Sequence, residues 1–361
     1  MRARLILALA ASLTVVLGAP YVGQIRGVVQ DALPGQYRNI VGGIVIGGVA
    51  AALVTALVRI RERRLPRFGA IAAAVAGGAI YATLTGTGNA DVDVVERFHF
   101  VEYGVLTWLF YRAWHGRADV TALVFPMFAG VMVGTFDEAF QWLVPGRVGE
   151  LHDVLLNGAA IACGLVFSLG LDPPAHAIAR PDHIGRRSFA VFAALAIVTV
   201  ALFIHAVHLG DEVKDAVTGN FFSRYSAADL LEASSDRAAR WQTEPPLVLR
   251  RMSIEDHYLA EGIWHIQRRN EGDAWTAWKE NLILEKYFGP VLEFPTYSTP
   301  DGARWPPEQR ADMATRTGSD SRQYVSTANP YPIYLWSAPA FWAGVSAVIA
   351  LVALACLSRG R

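Results

Sequence analysis

Between Phe136 and Asn157 the chain reads FDEAFQWLVPGRVGELHDVLLN, and this stretch holds most of its chemically capable residues. Asp137, Glu138 and Gln141 close one apolar run. Arg147, Glu150 and His152 follow in a loop around Pro145-Gly146, and Asp153 and Asn157 open a second apolar run. On a helix, Asp137 and Gln141 are i and i+4, and Glu138 and Gln141 are i and i+3, so two acids and an amide share a face. Carboxylates near lipid can carry protons, which suits Glu138 or Asp137 to general-base work. Arg147 has the planar fork that clamps phosphate or carboxylate. Asp153 and Asn157, one turn apart, can position a substrate or a metal. The plainer readings are an N-cap or first-turn acid favoured by the helix dipole for Asp153, and an inter-helix hydrogen bond worth ~0.6–2 kcal/mol for Asn157.

A second group lies upstream in ERFHFVEYGVLTW. Glu96, His99 and Tyr103 fall on one helical face with Glu102 beside them. An imidazole among carboxylates can relay a proton, so His99 is the candidate acid or relay. The plain alternative is a helix end at a membrane interface, aromatics at the headgroups and polar groups in water.

The elements that must carry these residues are membrane helices. Hydrophobic residues make up 53% of the 361 and charged residues 18%, and mean hydropathy is +0.29. A span needs roughly 20 mostly apolar residues. The apolar windows are Leu5–Ile25, Ile40–Ile60, Phe68–Leu84, Phe98–Trp114, Val120–Leu143, Val154–Leu171, Phe189–Leu209 and Ala338–Leu357, about eight spans, the fourth with a polar start. Lipid cannot satisfy a free backbone amide, so all are expected to be helices: an all-α polytopic bundle. Its expected divisions are a two-span segment over 1–65, a membrane domain over 66–172, a loop and seventh span over 173–209, a helical domain over 210–337, and a last span over 338–361. Arg2-x-Arg4, a long apolar run and Gly18-Ala19 also have the form of a signal peptide, but Pro20 is a poor residue after a cleavage point, which favours a retained helix.

Net charge is +0, which makes no case for nucleic acid. The distribution says more. Arginines at 2, 4, 59, 61, 63, 64, 67, 112, 117, 180, 186, 187, 359 and 361 fall in alternate loops and at both ends. By the positive-inside rule these are cytoplasmic, in an inner membrane, and loops 86–96, 144–153 and 210–337 face outward. Both polar groups then lie at the outer face. Gly42, Gly43, Gly47 and Gly48 read as packing glycines. Cys163 and Cys356 lie in separate spans, and no P-loop or dinucleotide glycine signature appears.

Arg97-Phe98-His99-Phe100 with Tyr103, Asp137-Glu138-x-x-Gln141, Pro145-Gly146-Arg147, and Asp153 with Asn157 together resemble the VanZ-like family of bacterial membrane proteins, over about residues 68–171. The resemblance implies a small helical bundle with these residues as its signature and a link to resistance against glycopeptides such as teicoplanin. It implies no particular reaction. Many members carry lysine three residues before the histidine, where this chain has Glu96. The family's glycine three after the asparagine is Ala160 here, with Gly158 nearby, while Gly164 fits.

The 210–337 segment is expected to be helical: Ser226 to Arg240, then a helix opened by a capping box at Ser253-x-x-Asp256 and running to about Asn270, then one capped by Asp273 to about Phe288. Residues 289–332 are expected to be irregular. His257, Glu261 and His265 form an i, i+4, i+8 stripe that can face a divalent ion, or simply be a polar face. Trp241, Trp264, Trp275, Trp278 and Trp305 can stack on sugars, though tryptophans more often fill cores.

Three functions follow from these residues. The first is a binding protein of the envelope, taking a membrane lipid headgroup, a cell-wall precursor or a glycopeptide. The second is an intramembrane hydrolase or transferase using Glu138, Asp137 and His99. The third, a transporter, is disfavoured by polar residues gathered at one end and by the lack of an inverted repeat. All three need His99, Glu138 and Asp153 to meet on one side of the bundle.

Overall fold

The structure is a computed structural model that describes residues 2–174, 179–246, 253–317 and 322–357. Arg359 and Arg361, used above for the charge pattern, lie outside the described residues. The chain divides into two units. One comprises residues 1–141, 149–203 and 342–361; the other comprises 142–148 and 204–341.

The first unit is built on α1 (Arg2–Ala32), α2 (Tyr37–Arg59), α3 (Arg64–Leu84), α4 (Ala90–Trp114), α5 (Thr121–Leu143), α6 (Leu151–Leu171) and α7 (His183–His208). Among the described residues, seven helices are long and apolar enough to cross a membrane, the last of them spanning Ala338–Cys356. α4, the fourth expected span, is a continuous helix but is not among the seven, because Asp91, Asp93, Glu96, Arg97, His99 and Glu102 dilute its first half. The helix places part of this polarity inside the protein: Glu96, Tyr103 and Thr107 are all buried. α1 runs unbroken through Pro20.

Glycines set how closely these helices approach. A Cβ on Gly164 of α6 would lie 2.9 Å from the Gly104 Cα and 3.2 Å from the Thr107 Cβ of α4. On α5, Gly130 and Gly134 are one turn apart and face Ile161 and Asn157 of α6. Small residues at this spacing let backbones come near enough for side chains one layer away to interlock. In α2 the small-residue face is divided: Gly42 and Gly48 abut Val94 and Val101 of α4, whereas Gly43 and Gly47 have open space beside them. At the far end of α6, Arg67 donates to the free carbonyls of Gly170 (2.9 Å) and Leu171 (2.6 Å), closing the helix terminus.

The second unit begins with a hairpin, β1 (Asp211–Val213) paired antiparallel with β2 (Phe221–Ser223). These strands are too short to carry a periodic signal. Asp215 closes their turn by accepting from the Val217 and Thr218 amides and the Tyr287 hydroxyl, and it pairs with Lys286. Burial alone would raise its carboxyl, but the Lys286 ammonium and these hydrogen bonds hold it well below the usual carboxylate range. Then come α8 (Ala227–Arg240), α9 (His257–Glu271), α10 (Ala274–Tyr287), α11 (Gly289–Glu293) and α12 (Pro307–Thr317). Ser226 and Asp229 form a capping box, and Asp273 caps α10, as its position predicts.

Two expectations change. The helix after Pro245-Pro246 starts three residues later than the Ser253 motif suggests, because Asp256 itself caps it, accepting from Tyr258 and Leu259 while Arg237 pairs with its carboxylate. Ile254 is consequently outside the helix and exposed. Residues 289–332, expected to be irregular, contain α11 and α12. Trp241 is buried in the core with Phe221, Tyr258, Ile283 and Phe288, and Trp275 packs against that core. Trp278 and Trp305 lie beneath Arg310 and Arg269.

Residues 142–148, the loop between α5 and α6, belong to this unit. The Gly146 amide donates to Glu255 (2.7 Å) and the Glu255 amide donates to the Leu143 carbonyl (3.0 Å). Trp142 stacks on His257 at 3.9 Å and lies under Arg224 at 4.5 Å. Burial first, and then the Arg224 cation, push the His257 imidazole down to about 4. The chain ends its described part with α13 (Ala338–Leu357).

Candidate functional site

The buried polar groups of the first unit converge where α4, α5 and α6 cross. Tyr103 of α4 is fully buried and its hydroxyl donates to Asp137 Oδ2 of α5 at 3.2 Å. Gln141, one turn on, donates from Nε2 to Asp137 Oδ2 (3.2 Å) and to Glu138 Oε1 (3.0 Å). The i+3 and i+4 spacing of the sequence therefore does what a helix requires: one amide joins both acids. Asp137 is 4% exposed, Glu138 0% and Gln141 6%, so no part of this set is a solvated helix end. Glu102 of α4 is close enough to Asp137 for their charges to oppose each other. His99 lies one turn before Tyr103 and stacks on its ring, centroids 6.0 Å apart and planes 15° apart.

α6 contributes Asn157. A Cβ on Gly134 would lie 3.0 Å from the Asn157 Cβ, 3.3 Å from its Nδ2 and 3.4 Å from the Tyr103 ring, so the glycine is what admits Asn157 between α4 and α5. Asn157 is 1% exposed, and neither its Nδ2 nor its Oδ1 has a hydrogen-bond partner. Each such atom costs about 1–3 kcal/mol when buried alone. The inter-helix hydrogen bond that the sequence allows for Asn157 is absent, and the hydroxyl of Tyr103, whose ring lies beside the same glycine, donates to Asp137 instead.

Asp153 is in the first turn of α6, one turn before Asn157; the N-cap position is Glu150, which makes no side-chain cap. Asp153 acts electrostatically on Glu96 of α4 and Tyr81 of α3, and Glu150 and His152 act on Glu96 as well. This second group, Tyr81, Glu96, Glu150, His152 and Asp153, lies at the end where α4 and α6 begin. His99 falls between Glu96 and Tyr103 along α4, so one helical stripe runs from this group to the buried one.

Arg147 belongs to the 142–148 loop and thus to the second unit, in a turn closed by its amide on the Val144 carbonyl (3.0 Å). The expected metal stripe of α9 is dispersed. His257 stacks on Trp142, Glu261 accepts from the Ser223 hydroxyl (2.5 Å) and the Arg224 amide (3.2 Å), and His265 pairs with Glu280 (2.6 Å). Three residues on one stripe have three separate partners because the hairpin, α10 and the loop each pack over a different turn of α9. Among the described residues no group of three or more His, Cys, Asp or Glu side chains is arranged to hold a metal ion.

Sequence inspection missed Gly130 and Gly134, and it named Gly164 only as a glycine that fits the family pattern; all three set the distances within the site. Gly130-x-x-x-Gly134 was readable as a close-approach motif. Tyr81 carries no sequence signal, since it joins the group only through the packing of α3.

These features define a helical, polytopic membrane protein with a buried acidic–amide cluster across three helices. Residues 41–171 match the family model described as VanZ/LLP1, so this part of the chain is similar to that family. The match starts ahead of the motifs and takes in α2, the helix whose Gly48 seats Val101 of α4. No curated protein and no solved structure matches the chain.

Proposed function

We propose that this protein is a ligand-binding protein of the bacterial inner membrane, and that the α4–α5–α6 cluster receives the polar part of an envelope molecule. The candidates are a lipid headgroup, a cell-wall precursor and a glycopeptide, and a contribution to glycopeptide tolerance follows from the last two. The observation that carries this reading is the set of acids buried at the end of an apolar helix: Asp137 and Glu138, joined by one amide, Asp137 also reached by Tyr103. Such residues are costly in a membrane and are retained where they bind or transfer something. Ionised carboxylates accept hydrogen bonds and repel anions, so the cluster favours hydroxyl or ammonium groups over phosphate. The alternating arginines support a site opening outward.

Titration calorimetry of the purified protein in neutral detergent should detect one of these ligand classes. Asp137→Asn with Glu138→Gln should weaken that binding at least about tenfold, ~1.4 kcal/mol. Silence across all three classes would end the binding hypothesis.

A second reading, an intramembrane hydrolase or transferase, is favoured by the path from His99 through the stacked Tyr103 to Asp137. In it Glu138 or Asp137 is the base and His99 the relay. Full turnover of a lipid-linked substrate by a His99→Ala, Glu138→Gln variant would exclude it.

A further inference from the structure

We propose that the α2–α3 edge of the first unit holds one anionic phospholipid, an acyl chain lying between the two helices and the phosphate on the arginines of their connecting turn. α2 packs on α4, Gly42 and Gly48 against Val94 and Val101, while α3 packs on α6, Gly77 against Cys163 and Ile71 against Gly170. A groove of about 500 Å³ is left between α2 and α3, walled by Leu53 of α2 and by Phe68, Ile71, Val75 and Ala79 of α3, with Ala72 and Ala76. That is the size of a small-molecule site, roughly 300–1,000 Å³. Its lining residues carry no polar side chain, so what fits it is hydrocarbon. Phe68, Ile71, Val75 and Ala79 stand at i+4, i+7, i+11 and i+15 from Arg64, so the helical stripe that lines the groove begins at an arginine. Arg59, Arg61, Arg63 and Arg64 crowd the turn, all exposed, with Glu62 the one acid among them. Arginines of the neighbouring segments are engaged inside the chain: Arg112 pairs with Asp172, Arg117 pairs with Asp119, and Arg67 donates to the Gly170 and Leu171 carbonyls. Among the described residues, none of the four at the turn has an ion pair. Four uncompensated guanidiniums at the end of a hydrocarbon groove match a molecule that joins a phosphate to an acyl chain. The acids of the α4–α5–α6 cluster would repel such a headgroup, so this site is separate from the one proposed above.

The test is native mass spectrometry of the full chain in maltoside detergent, titrated with dioleoyl-phosphatidylglycerol or dioleoyl-phosphatidylcholine, which share their chains and differ in net charge. One phosphatidylglycerol per chain should bind at least about tenfold tighter than phosphatidylcholine. Arg61→Gln with Arg64→Gln should abolish that preference. Ala72→Leu with Ala76→Leu, which fill the groove, should weaken both lipids at least about tenfold. All four positions are exposed, so both variants should melt near the parent's temperature. Equal binding of the two lipids by the parent, or a preference that survives loss of the arginine pair, overturns the inference. So does a preference lost with the arginines but indifferent to the alanines, which would mean that the turn only draws anionic lipid to the membrane surface. Soluble glycerophosphoglycerol binding as tightly as the lipid would make this a phosphate site without a chain. Groove filling that changes the number of chains per particle would make a second copy the occupant. Either result also overturns the inference, and none of these outcomes touches the reading of the α4–α5–α6 cluster.

Discussion

Glu280→Leu should unfold the second unit at neutral pH, or lower its unfolding free energy by about 3–5 kcal/mol, the usual cost of stranding one partner of a buried ion pair. Glu280 is fully buried on α10. One of its oxygens accepts from His265 at 2.6 Å, and the other accepts from the Tyr324 and Ser326 hydroxyls, each at 2.5 Å. Leucine would leave the His265 imidazole, packed against Phe221 and Phe288, and the Tyr324 and Ser326 hydroxyls without this acceptor. Burial alone would raise the Glu280 carboxyl. The His265 charge and the hydrogen bonds from His265, Ser326 and Tyr324 outweigh it and hold the group below its ordinary 4.5. A carboxyl depressed on folding contributes its stability above the unfolded value and loses it as pH falls through the folded one. The second unit should thus melt at a nearly constant temperature above about pH 5 and progressively lower below about pH 4, with that acid limb flattened in Glu280→Gln. A melting curve independent of pH over this window would contradict the assignment.

Gly164→Leu should prevent assembly of the first unit. The added side chain meets the Gly104 Cα at 2.9 Å and its carbonyl oxygen at 3.3 Å, and backbone cannot rotate aside as a side chain can. Overpacking ordinarily costs about 1–3 kcal/mol, and here relief requires parting α4 from α6, the two helices that present Tyr103 and Asn157. Size-exclusion chromatography and thermal melting should show aggregated or early-melting protein. Gly43→Leu on α2, where nothing lies within 4 Å, should behave as the parent. Equal profiles for the two variants would mean that α4 and α6 do not approach through Gly164.

The extent to which this was visible in the sequence follows from what each feature depends on. The Asp137, Glu138 and Gln141 arrangement is helical arithmetic and is present in the residues as written. So are the caps at Ser226 and Asp273. α4 was harder, because its polar residues serve a neighbouring helix, and hydropathy counts them against a span whichever way they face. The α9 stripe misled for the opposite reason: spacing reports a shared face but not which element covers each turn. His257, Glu261 and His265 share their face with three different neighbours. The orphaned amide of Asn157 depends on how α6 packs against Gly134 and Tyr103, which only the structure reveals.

The central claim is that the buried acids of α5 exist to hold a ligand. Native mass spectrometry of the purified protein, parent against Asp137→Asn with Glu138→Gln, tests it most directly. The parent should carry a bound envelope molecule with a hydroxyl- or amine-bearing head at about one per chain, and the variant, equally folded, should have lost it. Identical adducts on both proteins, or only bulk lipid on either, would mean that the acids serve the bundle and not a ligand.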